Sequence, residues 1–202
     1  GNVYATAHGT SGNFGAGALP LHGQQDVFTG GLSAAAGSEL WAHSWGGGGM
    51  DGSGAIAADA NGGVVVCGSH AGPADFGTGS IGTFGMNLFV VRVASDGTAT
   101  WARSYPLGSK AKQMVCSDFV IAPNGDALLT GWFTADIDFE GKKLTADGIS
   151  QDMFVLRLSS SGSIVWVQQY PGQGQEYARS IAVASDGRLA LAGKLYSTIT
   201  LG

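Results

Sequence analysis

The chain has 202 residues, a formal net charge of −5 and only 10 Lys plus Arg. A nucleic-acid surface needs clustered cations to displace counterions; the nearest grouping is Lys110-Ala111-Lys112, so that class of partner is excluded. No apolar run reaches the ~18–20 residues of a membrane helix, so this segment is not expected to be transmembrane.

Glycine supplies 35 of the 202 residues and charged residues only 12%, against usual shares of about 7% and about 25%. Such a composition suits either a low-complexity linker or a sheet protein with many tight turns. The 44% apolar share, gathered in short β-branched runs, selects the sheet.

Residues 1–50 hold three predicted strands, around Val3-Tyr4, Val27-Phe28-Thr29-Gly30-Gly31-Leu32 and Leu40-Trp41-Ala42. Residues 51–110 hold four: Ala55–Ala58, Val64–Cys67, Leu88–Val93 and Thr100–Tyr105. Asn61-Gly62 joins the first two, and Asn-Gly predicts a type I′ turn with both central residues at positive φ. Residues 111–173 repeat the pattern, with Asn124-Gly125, Met153–Leu158 and Ile164-Val165-Trp166. Residues 174–202 supply the first hairpin of a further unit, with Asp186-Gly187 at its turn. The glycines Gly1, Gly62, Gly125 and Gly187 recur at offsets of 61, 63 and 62 residues, and Trp41, Trp101 and Trp166 at 60 and 65. A fixed period of this size marks a repeat architecture.

No helical periodicity is present, so the fold class is all-β. Four antiparallel strands per unit of about 62 residues predict a β-propeller blade, and the chain holds about 3.3 of them in one domain. Closed propellers need about 4–8 blades. The expectation is therefore a partial propeller, closed either by further blades of the same protein or by a symmetric oligomer.

The blocks Asn87-Leu88-Phe89-Val90-Val91-Arg92-Val93, Asp96-Gly97, Trp101-Ala102-Arg103-Ser104, Ala55-Ile56-Ala57-Ala58-Asp59, Asn61-Gly62 and Ala74-Asp75-Phe76-Gly77 resemble the bacterial seven-bladed β-propeller (SBBP) repeats. The resemblance runs through the whole chain. It implies a large secreted or cell-surface bacterial protein, and it carries over no catalytic residue.

Trp41, Trp101 and Trp166, each followed four residues later by Trp45, Tyr105 or Tyr170, are expected to pack between blades; a sugar-stacking platform is the alternative. Asn61, Gly62, Asn124, Gly125, Asp186 and Gly187 are read as structural turn residues. Acidic residues collect in the connections: Asp51, Asp75, Asp136, Asp138, Glu140 and Asp147. Asp75, Asp136 and Asp138 are the candidate binding carboxylates, and Asp136 with Asp138 is a candidate calcium pair that lacks the rest of a calcium loop. The competing reading is solvated carboxylates. His8 and His70 occupy matching positions that read as packing, not metal ligation. Arg92 and Arg157 match each other and are expected to pair with carboxylates. Cys67 and Cys116 lie on strands of successive units and are either a bridge or two buried thiols.

No catalytic constellation is recognisable; Gly47–Gly52 and Gly77–Gly82 match a dinucleotide fingerprint, but no helix follows either. The expected function is a non-catalytic extracellular or cell-surface scaffold presenting loops to a protein or glycan, with no cofactor apart from the calcium candidate. The alternatives are a quinone-dependent dehydrogenase or hydrolase whose site lies in other blades, and a spacer in a surface adhesin.

Overall fold

The structure is a computed structural model that describes residues 1–108, 113–134, 136–146, 150–196 and 198. All regular structure among these residues is β. The chain forms two compact units, Gly1–Ser104 and Tyr105–Gly202.

The first unit starts with β1 (Asn2–Gly9), β2 (Asp26–Ser33) and β3 (Glu39–Gly47). There follow β4 (Gly52–Ala58), β5 (Val64–Ala71), β6 (Ala74–Asp75), β7 (Ser80–Ile81), β8 (Met86–Val93) and β9 (Ala99–Pro106), the last crossing the unit boundary. β4-β5-β8-β9 is a four-stranded antiparallel meander, with Val64 opposite Val93 and Ala71 opposite Met86. The other sheet runs β1-β2-β3-β6-β7. Its outer two strands are a hairpin borrowed from the connection between β5 and β8, which pairs Gly46 with Asp75 and Gly47 with Ala74.

The second unit contains β10 (Met114–Ile121), β11 (Ala127–Phe133), β12 (Ile137–Phe139), β13 (Lys142–Leu144), β14 (Asp152–Leu158), β15 (Ile164–Tyr170), β16 (Tyr177–Val183) and β17 (Leu189–Lys194). β10-β11-β14-β15 repeats the meander, while β12-β13 and β16-β17 form separate hairpins. The connections from β5 to β8 and from β11 to β14 thus each carry a short hairpin. Strands of two or three residues are too short to show a period of two.

The sequence pattern explains the cores. Val64, Val65, Val66 and Cys67 on β5 and Leu88–Val91 on β8 are all 0% exposed, so the sheet is buried on both faces and reads as a continuous apolar run. One face joins Trp41, Trp45 and Val27 of the first sheet to Val64, Val66, Phe89, Val91 and Val93 of the second. Phe76, from the borrowed hairpin, stacks on Phe89 with ring centroids 4.1 Å apart. In the second unit Leu128, Val155 and Ile181 form the corresponding cluster, with Trp166 and Tyr170 against it. Trp41 and Trp166 therefore lie in apolar clusters joining one sheet to the next, and Arg103 lies over the Trp101 ring.

The turns differ from the type I′ expectation. Only Gly62 of the Asn61-Gly62 pair has positive φ (80°). The Gly62 N–H donates to the Asp59 carbonyl, giving a type I turn that ends in a left-handed glycine. Gly97, Gly125, Gly162 and Gly187 close equivalent turns. At Asn61-Gly62 a side-chain cap adds to the turn: Asp59 Oδ1 accepts the Asn61 and Gly63 N–H groups. Two consecutive positive-φ residues occur instead at Glu140-Gly141, which joins β12 to β13.

Both cysteines, Cys67 on β5 and Cys116 on β10, are disulfide-bonded, and no thiol is free. Arg92 pairs with Asp59 and Arg157 with Asp126, each tying a third strand to the turn of the preceding hairpin. Burial opposes ionisation of Asp59, but the Gly63 and Asn61 N–H groups and the Arg92 guanidinium together hold its carboxyl below the usual range.

Candidate functional site

The sequence-derived carboxylates are engaged in turns. Asp75 Oδ1 accepts the N–H groups of Gly77 and Gly79 at 2.8 and 3.1 Å. Asp138 Oδ1 accepts the Gly141 N–H at 2.6 Å, and Lys143 Nζ lies 4.0 Å from its other oxygen. Asp136 is exposed, and its carbonyl accepts the Gly108 N–H. The three are not brought together into one site, and among the described residues no group of three or more His, Cys, Asp or Glu could hold a metal ion. Asp147 lies outside the described residues.

The structure draws attention to one end of the strands in the first unit. Four glycine-rich segments meet there. The Gln24 N–H donates to the Gly49 carbonyl, and the Gly72 N–H to the Gly85 carbonyl. A Cβ on Gly23 would lie 2.1 Å from the Gly47 carbonyl oxygen, and one on Gly49 would lie 2.3 Å from that of Ala71. Glycine permits this crowding because it lacks that atom. Large apolar side chains stand out from the same segments: Phe84 is 93% exposed, Met50 57%, Leu21 45% and Met86 38%.

Beneath these loops lies a buried polar layer. Asp26, Asp51 and His70 are each 0% exposed. Asp26 Oδ2 accepts the His22 N–H at 2.6 Å, the His22 Nδ1–H at 2.8 Å and the Ser44 hydroxyl at 3.1 Å. Asp51 accepts the Gly47 N–H on Oδ2 at 2.7 Å and the Ala71 N–H on Oδ1 at 3.1 Å. Burial pushes the Asp51 carboxyl above the usual range, against the pull of those two N–H groups and of His70, and the nearby Asp26 adds to the rise. The His70 Nδ1–H donates to the Gly72 carbonyl at 2.7 Å, which leaves Nε2 to accept the Ser104 hydroxyl at 2.8 Å. Burial holds His70 below the ordinary imidazole range. Its position is a hydrogen-bonded one, not the simple packing site expected, and His8 at the matching place is exposed beside Ser53.

A Ser–His hydrogen bond is also the first step of nucleophile activation. Here Gly82 covers the pair: its Cβ would fall 2.3 Å from His70 Cε1 and 2.9 Å from Ser104 Oγ. The imidazole orienter is a backbone carbonyl, not a carboxylate. This geometry suits a loop anchor better than a catalytic base.

The second unit repeats part of the layer. Asp152 and Glu176 are 5% and 0% exposed, and both lie at Gly172. Sequence reasoning passed over Asp26, Asp152 and Glu176. The signal was present: Asp26-Val27-Phe28, Asn87-Leu88-Phe89 and Asp152-Met153-Phe154 each lie at the start of an inner strand of their sheet.

No protein-family model and no curated protein matches the chain. Among solved structures it is similar to a protein of unknown function from Bacteroides caccae, with 12% identity and a TM-score of 0.46. The match covers 93% of this chain and 49% of the other, so the chain spans about half the length of that protein.

Proposed function

We propose that this chain is a non-catalytic part of an extracellular β-propeller of the SBBP type, and that its loops hold a protein partner, with a glycan as the other class of ligand. The single observation carrying this reading is the exposure of Phe84, Met50 and Leu21 on loops fixed from below by hydrogen bonds, with Met86 beside them at the start of β8. Exposed aromatic and Met side chains on a rigid support are the composition of binding hot spots. The meander of each four-stranded sheet suits a propeller blade, and the disulfide suits an oxidising compartment.

The test is binding of the purified chain to surface proteins of the source cell and to a glycan array, beside F84A and M50S. Hot-spot truncations cost about 2 kcal/mol or more, so F84A should weaken capture roughly thirtyfold. Retention of the same ligands by both variants at unchanged affinity would overturn the proposal.

A further inference from the structure

Asp26 and Asp51 are fully buried, and they converge on a single glycine. A Cβ on Gly46 would lie 2.7 Å from Asp26 Oδ1 and 2.5 Å from Asp51 Oδ2. Asp26 Oδ1 receives no hydrogen bond, although its partner oxygen receives three. A buried acceptor left unmatched beside a second buried carboxylate is costly unless one group carries a proton.

The titratable groups around the pair come from every neighbouring element. His22, preceding β2, gives its Nδ1–H to Asp26 Oδ2. His70 on β5 lies near Asp51, but its ring nitrogens are committed to Gly72 and Ser104. Ser44 on β3 donates to Asp26, and Asp75 on β6 turns its carboxylate to Gly77 and Gly79.

The matching position of the adjacent sheet shows what is missing. Asn87 stands where Asp26 does, also 0% exposed. Its Nδ2 donates to the carbonyls of Thr83 and Gly85 at 2.9 and 3.0 Å, while its Oδ1 accepts the Thr83 N–H. A side chain that both donates and accepts satisfies this place; an ionised Asp only accepts. In the second unit two buried carboxyls also meet at one glycine: a Cβ on Gly172 would lie 2.4 Å from Glu176 Oε2, and the Gly172 N–H donates to Asp152 Oδ1.

We propose that Asp51 holds a proton directed to the unmatched Oδ1 of Asp26, and that losing it to solvent as the pH rises loosens the loops bearing Met50 and Phe84. Ionisation leaves two buried negative charges side by side. The loosening centres on the Gly47 and Ala71 amides, which Asp51 anchors. The device does not depend on what the loops bind. Asp51 would bind its proton more tightly folded than unfolded, so its contribution to stability falls as the pH rises above the unfolded carboxyl value.

The test uses the whole chain with D26N and D51N. D26N installs the amide that Asn87 already provides and supplies the missing donor. Followed as the pH is raised, the infrared spectrum should show a protonated-carboxyl C=O stretch that outlasts the ordinary carboxyl range, reduced in both variants and unchanged in D138N. Exchange of the Gly47 and Ala71 amides, corrected for intrinsic rate, should accelerate with pH in the wild type by up to about tenfold per unit, and stay flat in D26N. No protonated-carboxyl stretch, or the same pH slope in wild type and D26N, would overturn the proposal. If D51N fails to fold, the wild-type spectrum and D26N still decide it.

Discussion

His70 is the residue on which most of the loop platform in the first unit turns. Its ring links β5 to Gly72 on one side and Ser104 of β9 on the other, and it lies edge-on to Phe76 at 5.4 Å. Because burial depresses its proton affinity, the unfolded chain binds more protons than the native one below about pH 6.5, the ordinary imidazole value. Stability should therefore fall as the pH drops from there through the folded value, and H70N should flatten that limb in urea titrations. Gly82 makes a second test. At φ +87° and with its Cβ position inside contact distance of the ring, Gly82→Ala should cost upwards of about 2 kcal/mol, seen as a lower urea midpoint. None of this was legible in the sequence. His70 could be aligned with His8, but one is buried and the other exposed, and a hydrogen bond to a residue on another strand leaves no local pattern.

The strands themselves were legible because their causes are local. Runs such as Val64–Cys67 and Leu88–Val93 can only be buried, and glycine-bearing turns separate them at nearly fixed intervals. The turn type was misread because each turn is one residue longer than the Asn-Gly pair: the Gly62 N–H closes on the Asp59 carbonyl and the Gly125 N–H on that of Ala122, with the glycine as the one left-handed residue. At these turns Gly62→Ala should cost about 1–2 kcal/mol, the penalty of a left-handed residue with a Cβ. Asp59→Ala should cost more, because it removes both cap bonds and leaves the Arg92 guanidinium, whose side chain is 14% exposed, without that partner. The Asp59 contribution is present above the unfolded carboxyl value and is lost as acid protonates the folded group, so the D59A deficit should shrink at low pH in parallel denaturation curves.

At the scale of the molecule, the sequence carried the all-β class through its short apolar runs and the absence of helical periodicity. It left open whether Cys67 and Cys116 are bonded, because two cysteines on strands buried alike satisfy either reading. In the structure both are disulfide-bonded. The double variant C67A/C116A should lose about 2–4 kcal/mol, mainly through a less restricted unfolded state. The wild type under reductant should approach the same thermal midpoint; equal midpoints with and without reductant would show the bond to be energetically idle.

The hairpin β6-β7 completes the sheet that precedes its own, since Ala74 and Asp75 pair with Gly47 and Gly46. During synthesis, β1, β2 and β3 leave the ribosome with the Gly46–Gly47 end of their outer edge unpaired until Ala74 and Asp75 have followed. The first sheet must wait for part of its successor, so assembly is threaded forward along the chain. A ribosome stalled before Ala74 would hold out a bare strand edge, ready to pair with a neighbouring nascent chain.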